Sequence, residues 1–200
     1  KLIIVDTGMD GTLTEDLQQK NISLESVDIV VITHMHPDHV GWNLTNGKPT
    51  FPNAKYVSHR ADWDYWTEPT VLADSPFITD QVIPLEQQGV LDLVDGGYKL
   101  TDELTIVHTP GHTPGHISIV INSGGATGYI LGDVAHNIAQ THDTDWSPIF
   151  DVDGDLARKT RHKVFDHLES TGILISAGHF PEPGFGRLLR SGNRRIWSPE

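Results

Sequence analysis

Residues 29–32, Ile-Val-Val-Ile, form an unbroken β-branched run. A strand with one solvated face alternates polar and apolar residues, so this run predicts a strand buried on both faces, as in the middle of a parallel sheet. The run leads through Thr33 into His34, His36, Asp38 and His39. A second apolar run, Ile-Leu-Ile at residues 173–175, leads in the same way towards His179. Polar groups at the ends of buried strands are where open α/β sheets commonly carry their sites.

The H-x-H-x-D-H spacing has a physical logic. Side chains two apart in an extended segment point the same way, so His34 and His36 can converge on one ion. A turn at Pro37 into a helix start would direct Asp38 and His39 at a second ion beside the first. A shuffled chain of this composition shows the pattern with a probability of roughly 0.4%, so chance is a poor explanation for it. The chain has no cysteine, which rules out a disulfide framework, a thiolate metal site and a cysteine nucleophile. Imidazole and carboxylate suit zinc, iron, manganese or cobalt. Two such ions ~3.5–4 Å apart would share a hydroxide ready to attack near neutral pH.

The remaining pattern predicts mixed α and β layers in one domain over residues 1–200. Strands are expected at 2–6, 28–33, 55–58, 104–108, 117–121, 129–131, 173–176 and 195–197. Helices are expected at 13–20, 60–66, 78–87 and 155–170. The chain begins directly on a strand-like run after Lys1, from which an N-terminal piece is expected to be missing.

The formal charge of −13 argues against nonspecific binding to a phosphate backbone, which needs clustered Lys and Arg. The basic residues gather late, and Arg158, Lys159, Arg161 and Lys163 are expected to form a solvated helix face. No stretch has the ~18 consecutive apolar residues of a membrane span, and no signal segment opens the chain. The expected partner is a small-molecule substrate, with neither nucleic acid nor membrane. A homodimer is compatible with the sequence, and the expected location is the cytoplasm.

Beyond the motif, the sequence carries Asp6-Thr7-Gly8, the loop Thr109-Pro110-Gly111-His112-Thr113-Pro114-Gly115-His116, Leu131-Gly132-Asp133 and Ala177-Gly178-His179. In that order, and over nearly the whole chain, these resemble the metallo-β-lactamase superfamily. The resemblance implies an αββα sandwich lacking its first N-terminal strands. It also implies two divalent metal ions, zinc foremost. His34, His36 and His116 would hold the first metal and Asp38, His39 and His179 the second, with Asp133 bridging both. Of the two loop histidines the resemblance favours His116 as ligand, leaving His112 to stabilise the loop.

The implied function is hydrolysis of an ester-like bond, in a lactone, a carboxylic ester or an organophosphate triester, by a metal-bridging hydroxide. Asp38 would shuttle a proton to the leaving group and His136 would orient the substrate. Acyl-homoserine lactonases of the superfamily commonly carry tyrosine at the position of His136, and this chain departs from them there. The stretch from His136 to Arg161 is similar instead to the branch containing methyl parathion hydrolase. Trp42, Trp63, Trp66, Trp146, Phe150 and Phe180 are candidates to line an apolar pocket. The alternative reading is an iron-dependent oxidoreductase on the same fold, similar to the persulfide dioxygenases.

Overall fold

The computed structural model describes residues 1–9 and 11–200. The chain divides into two compact units, Lys1–Asp95 and Gly96–Glu200.

In the first unit the order is β1 (Ile3–Val5), α1 (Leu13–Gln19), β2 (Ile29–Val31), α2 (Pro37–Val40), β3 (Leu44–Thr45), β4 (Lys48–Pro49), β5 (Lys55–His59), α3 (Arg60–Trp66), α4 (Pro69–Leu72), α5 (Pro76–Gln81), α6 (Ile83–Gln87) and β6 (Leu91–Val94). Strands β1, β2, β5 and β6 form a parallel sheet in that order, with Val31 opposite Val5 on one side and Val57 on the other. All three residues of β2 are buried, as its unbroken apolar run requires. Val30, Ile32, Met35, Phe51, Tyr56, Ile78 and Leu85 are core residues of this unit. Tyr56 is buried whole, yet its hydroxyl donates to Asn43 O and accepts from Phe51 N–H, each at 3.1 Å. Burial pushes the phenol up to about 12 even though the Phe51 N–H favours the charged form.

The helix expected over 78–87 is two helices, α5 and α6, broken at Val82, whose φ of −122° lies outside the helical range. Pro84 supplies the reason: it has no N–H for the carbonyl four residues back, and its ring would clash with that carbonyl if the helix ran on unbroken. It therefore begins a new helix, at the second position of α6.

In the second unit the order is β7 (Leu104–His108), β8 (Ile117–Ser123), β9 (Ala126–Ile130), α7 (Gly154–Thr171), β10 (Leu174–Ser176), β11 (Phe185–Ser191) and β12 (Arg194–Pro199). The six strands form one sheet, β12-β11-β10-β9-β8-β7, in which only β9 and β10 pair in parallel. Helix α7 is the connection between those two, since parallel neighbours need a crossover. It starts at Asp153, whose side chain accepts the Leu156 N–H. Its Val164, Phe165 and Leu168 belong to a core cluster with Tyr129, Leu131, Ile175 and Leu188.

Strands β6 and β11, and the short pair β3 and β4, were not expected from the sequence. For β11 a signal was present: Ser191 pairs with Arg194 across Gly192-Asn193, and Gly192 has φ 58°. A Gly-Asn pair between two runs is a two-residue hairpin turn. Among the described residues no helix is long and apolar enough to cross a membrane.

Candidate metal centre

In the first unit the segment after β2 gathers His34, His36, Asp38 and His39. His34 is fully buried, and its Nε2 lies 3.1 Å from Nδ1 of His36. The protonation of His34 follows from its neighbour. Thr33 Oγ1 has one proton and donates it to Asp6 Oδ2 at 2.7 Å, so it accepts from His34 Nδ1, 3.1 Å away. Nε2 of His34 therefore carries a lone pair aimed at His36. Two nitrogens bound tetrahedrally to one zinc stand about 3.3 Å apart for Zn–N bonds near 2.0–2.1 Å, so this spacing fits a shared cation.

Helix α2 opens with Pro37 at its first position, which places Asp38 and His39 in the first turn. Nδ1 of His39 donates to Asp6 Oδ2 at 2.8 Å, which leaves the lone pair on Nε2, 3.5 Å from Asp38 Oδ2. Asp6 also accepts the Thr33 backbone N–H at 2.7 Å. A carboxylate behind an imidazole that fixes its tautomer is a recurrent feature of metal sites. The Met35 N–H, in the middle of the motif, is held at 2.9 Å by the buried Asp62 carboxylate.

In the second unit Asp133 is the centre. Its carboxylate is 3% exposed, and Oδ2 lies 3.1 Å from Nε2 of both His136 and His179. The His136 and His179 rings stack with centroids 5.3 Å apart. Nδ1 of His136 is buried without a hydrogen-bond partner among the described residues. Nε2 of His112 approaches the same Asp133 oxygen at 3.6 Å, and His112, Asp133 and His136 offer donor atoms within 4.8 Å of one another.

The two loop histidines take different partners. His116 is fully buried, with Nδ1 donating to Thr109 O at 3.0 Å and Nε2 accepting the Asp133 backbone N–H at 2.8 Å. Both ring nitrogens are thus engaged in hydrogen bonds. Gly132 makes the Asp133 contact reachable, because at φ 59° a Cβ there would stand 2.6 Å from His116 Nε2. His112 instead donates from Nδ1 to Asp151 Oδ1 at 2.9 Å, leaving its Nε2 lone pair on the Asp133 side. Burial lowers the pKa of His112, against the opposing pull of Asp151 and Asp133. Burial alone would raise the Asp151 carboxyl, but His112, Ser147 and Arg161 together hold it below the usual range.

Arg161 departs from expectation. It belongs to the expected solvated face of α7 but is fully buried, whereas Arg158 on the same helix pairs with the exposed Asp155. Of the six aromatic candidates, Trp66 and Phe180 are buried, packing on Phe77 and Trp197 respectively. Trp146 and Phe150 are exposed, with Phe150 6.3 Å from the His136 ring, and Ile149 beside them is exposed as well. Sequence reasoning gave Asp151 no role, although it lies within the 136–161 stretch that carries the branch resemblance.

The donor set is imidazole and carboxylate throughout, as divalent first-row metals require when no thiolate is available.

A family model described as the metallo-beta-lactamase superfamily matches residues 1–187. Among solved structures, hydrolase AbOPH of the beta lactamase superfamily is similar, with TM-score 0.91 and 26% identity over 99% of this chain and 75% of that one. AidC, a dizinc quorum-quenching lactonase solved with its product N-hexanoyl-L-homoserine, has TM-score 0.86 and 27% identity over 100% of this chain and 76% of that one. A probable metal-dependent hydrolase from Staphylococcus aureus shares the fold, with TM-score 0.84 and 19% identity over 99% of this chain and 77% of that one. A search of curated proteins found no match.

Proposed function

The chain belongs to the metallo-beta-lactamase superfamily and is a metal-dependent hydrolase, and from that premise we propose that it holds two divalent cations and hydrolyses an ester-like bond, a lactone foremost. The proposed cation-holding residues are His34, His36, Asp38 and His39 in the first unit and His112, Asp133 and His179 in the second. His112 takes the place expected for His116. The observation that carries this reading is the Asp133 carboxylate, 3% exposed with one oxygen 3.1 Å from each of two imidazoles. A buried carboxylate ringed by imidazoles is costly unless it is paired with cationic charge.

Bound there, the cations supply Lewis acidity and a water acidic enough to act as nucleophile near neutral pH. The chain's own groups do the rest. His136 donates from Nε2 to the carbonyl or phosphoryl oxygen that gains charge, a contact that strengthens as the charge develops. Asp38, partly exposed beside His39, takes a proton from the attacking water and passes it to the leaving oxygen. Asp6 keeps His39 in one tautomer, and Phe150 offers apolar surface beside His136.

The lactone preference draws on AidC, whose bound product is an opened homoserine lactone. Carboxylic esters and phosphotriesters are open to the same hydrolytic nucleophile and stay within the proposed class. The test is a panel of acyl-homoserine lactones, γ-lactones, aryl esters and phosphotriesters, run on metal-stripped protein reloaded with zinc, manganese or cobalt. Hydrolysis restored by metal, fastest on lactones, supports the reading. Oxygen consumption with one bound iron and no hydrolysis would sink it.

A further inference from the structure

Arg161 spends its guanidinium on one stretch of chain. Nε donates to Val134 O at 2.7 Å, Nη1 to Thr144 O at 3.0 Å and to Trp146 O at 2.5 Å, and Nη2 faces Asp151 Oδ2 at 3.4 Å. The side chains of Arg161 and Asp151 are 0% and 1% exposed. Removing such a pair from water is so costly that well-packed apolar residues of similar volume commonly serve stability as well or better. A pair kept under these conditions points to a need for orientation.

What it orients is visible on both sides. Val134 follows Asp133 directly, so the guanidinium pins the peptide next to the central carboxylate. The other Asp151 oxygen accepts the Nδ1–H of His112. The backbone closes the same frame: Val152 N–H donates to His112 O at 3.0 Å, Asp153 N–H to Gly111 O at 2.9 Å, and Thr160 Oγ1 to Pro110 O at 2.6 Å. Gly111 lies so close to α7 that a Cβ would stand 2.2 Å from Ala157 N. The loop carrying His112 is thus fixed at its backbone, and the one remaining freedom is the His112 ring, which Asp151 holds.

We propose that Asp151 and Arg161 are positioning residues: together they lock His112 in the Nδ1–H tautomer with Nε2 facing Asp133, and they thereby set how tightly the protein holds metal. The consequence for metal rests on the reading of His112 as a ligand, whereas the tautomer lock does not.

Two measurements separate these. In metal-free protein labelled with ¹⁵N-histidine, long-range ¹H–¹⁵N correlations should show His112 as a single Nδ1–H tautomer. Asp151→Ala should release it to a mixture, and Asp151→Asn, which keeps an acceptor oxygen, should retain most of the lock. In chelator competition Asp151→Ala should weaken zinc binding about 10–100-fold, with Asp151→Asn and Arg161→Lys losing less. The proposal is overturned if folded Asp151→Ala keeps the wild-type His112 tautomer, or if it binds zinc as tightly as the wild type. If Arg161→Lys fails to fold, the Asp151 pair decides alone. If wild-type protein binds no zinc, the ligand reading fails and the tautomer comparison still decides the positioning role.

Discussion

Nε2 of His116 accepts the backbone N–H of Asp133 at 2.8 Å, so the lone pair of this imidazole is spent on the very peptide that carries the central carboxylate. His112, four residues earlier, presents its Nε2 to that carboxylate from the side. The two histidines should therefore fail differently. His112→Ala should lose bound metal and at least about 100-fold in turnover, and because the buried Asp151 Oδ1 loses its donor it should also cost the metal-free protein about 1–3 kcal/mol. His116→Ala leaves the buried Asp133 N–H unpaired, at a cost of about 1–3 kcal/mol, and should lower the melting temperature of the metal-free protein. Metal stoichiometry and calorimetry on both variants check this. A metal loss confined to His116→Ala would restore the other assignment.

Gly111 has φ 131°, and a Cβ there would meet Ala157 N and Cα at 2.2 and 2.4 Å. Gly111→Ala should destabilise the protein by about 1–3 kcal/mol from backbone strain alone, with the clash against α7 adding to it. Gly124→Ala shares the positive φ but meets nothing within 4 Å, so its loss should be smaller. Thermal melts of the two variants compare them directly.

Tyr56 links stability to alkaline pH. Its phenol ionises at about 12 in the folded protein against about 10 when unfolded. Below pH 10 both states hold the proton and its contribution is complete. Above pH 10 the unfolded chain releases the proton first, so stability falls as pH rises through 12. Tyr56→Phe should abolish that part of the alkaline loss. At neutral pH it should cost about 1–3 kcal/mol, because Phe51 N–H and Asn43 O lose their partner. Urea melts at pH 7 and across pH 9–12 test both parts.

Phe150 stands 6.3 Å from His136 and is 62% exposed. Phe150→Ala should raise KM several-fold for substrates with long apolar substituents and little for short ones, leaving kcat nearly unchanged, the pattern of lost uniform binding. Equal effects on short and long substrates would remove Phe150 from substrate contact.

What could be read from the sequence was local. The buried strand β2 announced itself in four β-branched residues, and the donor types of the His34–His39 segment in their spacing. The choice between His112 and His116 could not be read, since both occupy one loop and only hydrogen bonding separates them. Arg161 sits among basic neighbours on a helix, and its burial is produced by residues 134–151 folding over α7, a contact between distant segments. The break at Val82 is legible in Pro84 and β11 in Gly192-Asn193, because turn residues override apolar periodicity at both places.

The central claim is a dinuclear metal-dependent hydrolase, and the most direct measurement is a zinc titration of metal-stripped protein with lactone hydrolysis followed at each step. The account predicts no turnover without metal, saturation at two equivalents of zinc and full activity only at that point. Turnover in the stripped protein, or activity complete at one equivalent with no second binding step, would contradict it.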